Sequence, residues 1–416
     1  MVDICLNENV TSKTLLFMTN KYLSDRINAL AESQTLVMNQ KSRELASQGV
    51  DVINLTLGEP DFNTPDHIKE AAIEAIHNNI TNYPPVPGFP QLRQAVVHKL
   101  QRDNNLEYSE NQIVISNGAK HSLANVLQCV VNKGDEVIIP TPYWVSYAEL
   151  VKLAEGTSVF IETGVEQDFK ISANQLEAAI TPKTKVVLLN SPSNPSGSVY
   201  TYEEFASLVE VLKRYPDIII ISDEIYETII YDGSHVSVAQ FSAIKDRVVL
   251  VNGVSKGYAM TGWRLGYIAA PDWIAKATTK LQGQYTSGAC SIAQMAAVAA
   301  IQGDQSCVAE MREVFRRRRD LACDKIDSID GFCVNKPAGA FYLFPDVSAF
   351  FGKTNGDINI KNADDLCLYL LEKAHVATVS GSAFGTPACI RLSYATSDEL
   401  LIAAFDRIAK ALSQLR

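Results

Sequence analysis

The segment Ser255–Tyr267 reads SKGYAMTGWRLGY, which sets Lys256 and Arg264 among glycines, a serine, a threonine and aromatics. One apolar run, Val248–Val251, precedes it and another, Leu265–Ala270, follows. A lysine on a turn between two buried strands is ordinarily a surface residue. An amine in a dry pocket near other cations behaves differently, because its pKa falls and it condenses with aldehydes. Ser255 and Arg264 would supply anion-binding groups beside it. Asp223 follows the apolar run Ile218–Ser222, where an ionised carboxylate is costly unless it is paired. A helix cap or a salt bridge would satisfy it. So would a protonated ring nitrogen, with Tyr226, three residues on, donating to a phenolic oxygen of the same ring.

Further residues extend this set. Gly118-Ala119-Lys120 opens a helical pattern directly after a strand, and a helix N-terminus there is a natural phosphate cradle. Trp144 offers either core packing or a flat face for a ring to stack on. Asn194, in SPSNPSG, has turn chemistry as its plain reading and a bond to the phenolic oxygen as its functional one. Arg391 lies in the strand pattern CIRLSYA. A buried arginine needs an anion, either an internal partner or a ligand carboxylate that its fork grips at two points.

The elements that must position these residues follow from periodicity. Short apolar runs reading as buried strands are Ile113–Ser116, Glu136–Ile139, Lys185–Leu189, Ile218–Ser222, Val248–Val251 and Leu265–Ala270. Helical patterns lie between them at Ala119–Val131, Tyr202–Lys213 and Asp272–Gln282. Continuous apolar strands separated by helices imply an α/β fold whose mostly parallel sheet is covered on both faces. Such a sheet has a crevice at the carboxyl ends of its strands, and the polar residues above each follow a different strand. Past Gly331 the character changes. Strand-like runs Ala340–Phe344 and Cys389–Ser393 interleave with helices Ala363–Ala374 and Ser397–Ser413, as in a smaller α+β domain. The segment Tyr22–Gly49 reads as helix that joins this small domain, so the chain divides into 1–60, 61–325 and 326–416. The four arginines Arg316–Arg319 follow a helical pattern and read as a solvated or inter-domain face.

Composition bounds the function. The 416 residues carry a net charge of −10, which disfavours nucleic acid and anionic membrane surfaces. No apolar run is long enough to span a bilayer. Thr14–Met18 is too short for a signal-peptide core, and residues 1–20 read as a frayed extension or as preceding a start at Met18. The eight cysteines form no C-x-x-C pair and the six histidines no i, i+4 pair. Reduced, buried thiols in a cytoplasmic protein without a metal site are expected.

At this point the motifs match a family. LTLGEPDFNTP (55–65), NYPPVPGFPQLR (82–93), SNGAKHSL (116–123), PTPYWVSY (140–147), NSPSNPSG (190–197), SDEIYE (222–227), NGVSKGYAMTGWRLGY (252–267) and IRLSYA (390–395) occur in order along the chain. The sequence resembles the class I/II aminotransferases, pyridoxal-phosphate enzymes of fold type I, and within them the bacterial aspartate aminotransferase branch. The resemblance implies roles. Lys256 would hold the cofactor and move protons, and Asp223 would keep its ring nitrogen protonated. Tyr226 and Asn194 would bond the phenolic oxygen and Trp144 would stack on the ring. Ser255, Arg264 and the amides near Ala119 would hold the phosphate, with Tyr83 reaching it from the partner of a homodimer. Arg391 would clamp the substrate's α-carboxylate, the backbone of Gly58 would lie beside the substrate, and Lys120 would meet a distal carboxylate. The implied reaction is ping-pong transamination from aspartate to 2-oxoglutarate. Prephenate, aromatic or other amino-group partners, and a lyase of the same fold, are the alternatives. In one departure, Gly253 stands where more distant relatives carry a phosphate-contacting serine. A non-catalytic DNA-binding sensor of this fold is disfavoured by the acidic charge and by the short segment before the first motif.

Overall fold

The computed structural model describes residues 22–31 and 34–416, and side chains at 34–37 are not considered. The readings for residues 1–20 therefore fall outside the described residues. The central sheet has seven strands: β1 (Ile113–Ser116), β2 (Glu136–Pro140), β3 (Thr157–Ile161), β4 (Thr184–Asn190), β5 (Ile219–Asp223), β6 (Val248–Gly253) and β7 (Gly266–Ala269). Their spatial order is β1-β7-β6-β5-β4-β2-β3. Neighbours are parallel except at β7, which runs antiparallel to both β1 and β6.

β1, β5 and β7 are buried at every position, as expected where helices cover both sheet faces. β3 was not among the expected strands. It is one of the two edge strands, and only its last residue is buried, with Phe160 44% exposed. A half-solvated edge carries no continuous apolar signal. Helix Ala119–Val130 packs on one sheet face with helix Asp272–Tyr285, through an apolar cluster that includes Leu123, Val126, Val249 and Ile268. The other face meets helices Pro90–Asn104, Tyr202–Leu212 and Ser291–Gln302. Thr201 starts the second of these with a reciprocal capping box to Glu204, a local start signal written in the sequence.

A second core joins Ile53 and Leu55 to residues between Phe315 and Leu415. Here β8 (Tyr342–Leu343), β9 (Val379–Ser380) and β10 (Ile390–Ser393) form an antiparallel sheet in the order β9-β10-β8. The early chain adds a parallel pair, Ile53–Asn54 against Val376–Ala377. The continuous helix expected over 22–49 is instead Asp25–Asn28 followed by Gln34–Ser47. The helix expected over 363–374 is α-helical to Tyr369 and ends in a wider π turn, Leu370–Ala374. The first turn of helix Ser306–Asp327 packs on the large core and the remainder on the second, so this helix bridges the two.

That bridge divides the arginine run between the two faces expected of it, solvated and inter-domain. Arg316 and Arg317 are exposed, but Arg318 and Arg319 are buried. Arg318 forks onto Asp61 at 2.7 and 2.9 Å and reaches Asp398 at 3.4 Å. Arg319 pairs with Asp232 and Asp320 and donates to the Pro337 carbonyl. The thiol expectation also holds only in part. All seven described cysteines are free, yet Cys290 and Cys333 are exposed while Cys323, Cys367 and Cys389 are buried.

Candidate active site

The carboxyl ends of β1, β2, β4, β5 and β6 converge on one edge of the sheet, opposite β10. Between them lies a cavity of about 480 Å³. Gly58, Ala119, Lys120, Trp144, Asn194, Asp223, Tyr226, Ser255, Lys256, Arg264 and Arg391 all line it. Tyr83 does not. It is 95% exposed, the most exposed large hydrophobic side chain among the described residues.

The base of the cavity is a buried carboxylate. Asp223 closes β5, accepting from Tyr147 Oη at 2.7 Å and from the Ile225 amide at 3.2 Å. Burial raises its pKa to about 6 against these two donors, which favour the ionised form. Asn190, at the end of β4, ties the strand ends together. Its Nδ2 donates to the Asp223 carbonyl at 2.9 Å, and its Oδ1 accepts from the Asn194 amide at 2.8 Å.

Lys256 leaves β6 and turns its Nζ onto the Gly58 carbonyl, 5.9 Å from the centre of the Tyr226 ring. Its pKa is lowered to about 8. Burial is the largest cause; Arg391 and Arg264 push the same way, and Glu59 and Asp223 oppose them. A substantial neutral fraction near neutral pH makes this amine a nucleophile and a base.

An anion cradle closes one end. Helix Ala119–Val130 starts at Gly118, whose φ of 89° only glycine adopts readily, and no side chain caps it. A Cβ on Gly118 would stand 2.4 Å from Arg264 Nη2, and one on Gly266 2.3 Å from the Ala119 nitrogen. These two glycines therefore let the helix start, Arg264 and β7 meet. Ser255, 6% exposed, faces the same end. Gly253 is similarly closed: a Cβ there would lie 2.8 Å from the Leu265 carbonyl oxygen. A serine at that position would not fit this backbone.

The opposite wall carries Arg391 from β10, 2% exposed. Nη1 donates to Asn194 Oδ1 at 2.9 Å and Nη2 to the Thr56 carbonyl at 2.7 Å, while the buried Nε has no partner. No carboxylate pairs with it, so the internal ion pair weighed from sequence is not formed. Its guanidinium lies 4.6 Å from the Tyr342 ring centre and 4.9 Å from that of Phe384. Lys120 is at the mouth, its Nζ 4.9 Å from the Trp144 ring centre.

Several lining residues were not singled out from sequence: Thr56, Glu59, Tyr147, Asn190 and Thr261. Tyr342 stands behind them, its hydroxyl 2.8 Å from that of Tyr226. All five sat inside quoted motifs, but the contacts of Tyr147 with Asp223 and of Glu59 with Thr261 join residues remote in sequence.

A nucleophilic amine, a buried carboxylate, an uncapped helix start and an unpaired arginine fork in one cavity define a class. The chain belongs to the family of aminotransferases class I and II, whose family model matches residues 50–408. It is 48% identical over 395 residues to the aspartate/prephenate aminotransferase of Nitrosomonas europaea, covering 94% of this chain and 100% of that one. It is also 48% identical over 388 residues to the aspartate aminotransferase of Bacillus sp. strain YM-2, covering 93% and 98%. Among solved structures, the aspartate aminotransferase from Rhizobium meliloti superposes with a TM-score of 0.92 at 45% identity, covering 95% of this chain and 99% of that one. The Thermus thermophilus aspartate aminotransferase, solved with maleate, gives a TM-score of 0.88 at 39% identity over 94% and 99%.

Proposed function

We propose that this enzyme transfers the amino group of L-aspartate to 2-oxoglutarate with pyridoxal 5'-phosphate as cofactor, in a ping-pong cycle. The observation that carries the reading is the cavity's donor set. Arg391 is buried with an unpartnered Nε, Lys256 is a depressed amine, and the helix start at Ala119 joins Ser255 and Arg264 around one end. These match, respectively, an α-carboxylate, an aldehyde and a phosphate.

When bound, pyridoxal phosphate supplies an aldehyde that receives the amino group and a ring that draws electrons from the substrate's α-carbon. The chain's own residues do the rest. Asp223, ionised, would hold the proton on the ring nitrogen. Tyr226 would donate to the phenolic oxygen. Asn194 has its Oδ1 committed to Arg391, which leaves Nδ2 for the same oxygen. Trp144 covers one ring face. Arg391 fixes the α-carboxylate, with Gly58 alongside, so that the α-hydrogen is presented to Lys256. Lys256 Nζ would be the base that takes up that proton and holds it at the reaction centre, a role worth roughly 10²–10⁴-fold in rate. Lys120 and the cation-lined mouth favour a second carboxylate. Maleate in the Thermus structure supports a dicarboxylate there. The prephenate activity in the name of the Nitrosomonas relative supports prephenate as a second amino acceptor.

Tyr83 completes the phosphate site of a second copy in a homodimer. Its exposure, with Ile73 44% and Ile76 52% exposed, supports this reading. Tyr83→Phe is expected to weaken cofactor binding without dissociating the dimer, checked by cofactor titration and light scattering.

The deciding experiment is an absorbance spectrum of the purified protein, then addition of L-aspartate. A visible or near-ultraviolet cofactor band that moves to shorter wavelength on aspartate is expected. A band that ignores aspartate but answers another amino acid would overturn the dicarboxylate assignment. No band after added pyridoxal phosphate would overturn the whole reading.

A further inference from the structure

Directly beyond β5 lies a buried ionic group that the proposed reaction does not use. Glu224, next to Asp223, is 1% exposed. Its Oε1 accepts from Ser222 Oγ at 2.8 Å and Ser237 Oγ at 2.7 Å, and its Oε2 meets His235 Nε2 at 2.7 Å. The His235 side chain is 10% exposed, and its other ring nitrogen, Nδ1, is buried without a partner. His235 lines a second cavity of about 280 Å³, whose lining shares no residue with that of the active site. Glu227 and Lys99, paired with each other, face it from within. Arg102, Asp103 and Arg312 stand around the opening.

The placement has an electrostatic consequence. Two carboxylates at successive positions are both withdrawn from water, and like charges so placed oppose each other's ionisation. Asp223 feels Glu224 in that sense. Serine hydroxyls satisfy the Glu224 oxygens but leave its charge intact. Among the described residues the cationic partner in contact with it is His235, which cancels it by carrying a proton. Burial opposes that proton, but the Glu224 charge and hydrogen bond, with Glu227 behind, outweigh it, so the His235 pKa is raised.

We propose that His235 is a positioning residue for Asp223: it neutralises Glu224 behind the strand, so that Asp223 remains ionised and keeps the proton on the ring nitrogen. The inference rests on the reading of Asp223 given above.

The test separates the two. The Asp223 carboxyl is titrated by infrared difference spectroscopy in the cofactor-free full chain, with Asp223→Asn as blank, for wild type, His235→Gln, Glu224→Gln and the double variant. His235→Gln leaves Glu224 uncancelled and should raise the Asp223 midpoint by about one pH unit. Glu224→Gln removes the anion, its histidine then goes neutral, and the midpoint stays near wild type. The double variant should restore the wild-type midpoint, which a merely structural role of His235 would not predict. Circular dichroism confirms folding, and His235→Asn replaces the glutamine variant if that one does not fold. Equal midpoints in all folded variants would overturn the proposal. In the holoenzyme, the acid limb of kcat/KM and the pH titration of the cofactor band should move up with the His235→Gln midpoint. A moved Asp223 midpoint with an unmoved acid limb would overturn the positioning role through the assignment of Asp223 itself, leaving the charge coupling standing.

Discussion

At the scale of single residues, chemistry was legible where a side chain is unusual for its local pattern. A lysine between buried strands, an aspartate after Ile218–Ser222 and an arginine inside an apolar strand each raised a cost that a ligand could offset. Lys256→Ala is expected to retain cofactor affinity through the phosphate end but lose roughly 10²–10⁴-fold in kcat, measured by single-turnover absorbance. Arg391→Lys keeps the charge but loses the fork. It should raise KM for aspartate by about 10- to 100-fold, the value of one charged hydrogen bond of about 1.5–3 kcal/mol. Lys120→Ala should raise KM for aspartate about fivefold, consistent with an exposed pair of about 1 kcal/mol, and leave alanine unaffected. What sequence could not reveal were the partners that set these groups' properties. Tyr147 is 76 positions from Asp223, and Tyr342 is 116 from Tyr226. Neither tyrosine has a local pattern that distinguishes it from core packing.

At the scale of elements, the strand ends were legible and the edge was not. β1, β2, β4, β5 and β6 are continuous apolar runs, so their punctuating residues could be placed at one crevice. β3 is half solvated and was invisible to the same reading. The arginine run, read as a solvated or inter-domain face, is both: a helical repeat of charge does not reveal which half of it lies between the two cores. Arg318→Ala would leave Asp61 without its cation, while Asp398 keeps Arg317 at 3.0 Å. Partial exposure of both carboxylates limits the loss to about 1–3 kcal/mol, measurable by denaturant unfolding. The glycines at the cradle are more demanding. Gly266→Ala would force β7 away from the Ala119 nitrogen. Cofactor affinity is expected to fall at least tenfold while far-ultraviolet dichroism is retained.

At the scale of the whole molecule, the site costs stability. Asp223 is held with a pKa near 6, above its unfolded value. The folded chain therefore binds its proton more tightly, and the stability this gives is complete below about pH 4 and lost as pH rises through 6. Asp223→Asn should consequently melt higher than wild type at pH 8 in the cofactor-free state, with the gain shrinking towards pH 4 in scanning calorimetry. The bound cofactor, by supplying a cation, should reverse that order. The same large-scale view bears on β7. Because this one strand runs backwards, the chain leaves the sheet edge after Gly253 and returns to that same edge at Gly266, where the two residues are paired. The intervening loop is closed at its root, and its two ends present Lys256 and Arg264. Loop and ladder together act as a caliper whose jaws are an amine and a guanidinium. A pyridoxal analogue lengthened by one methylene between ring and phosphate would meet one jaw and miss the other. Selectivity for cofactor length would then be a property of strand direction before it is one of any side chain.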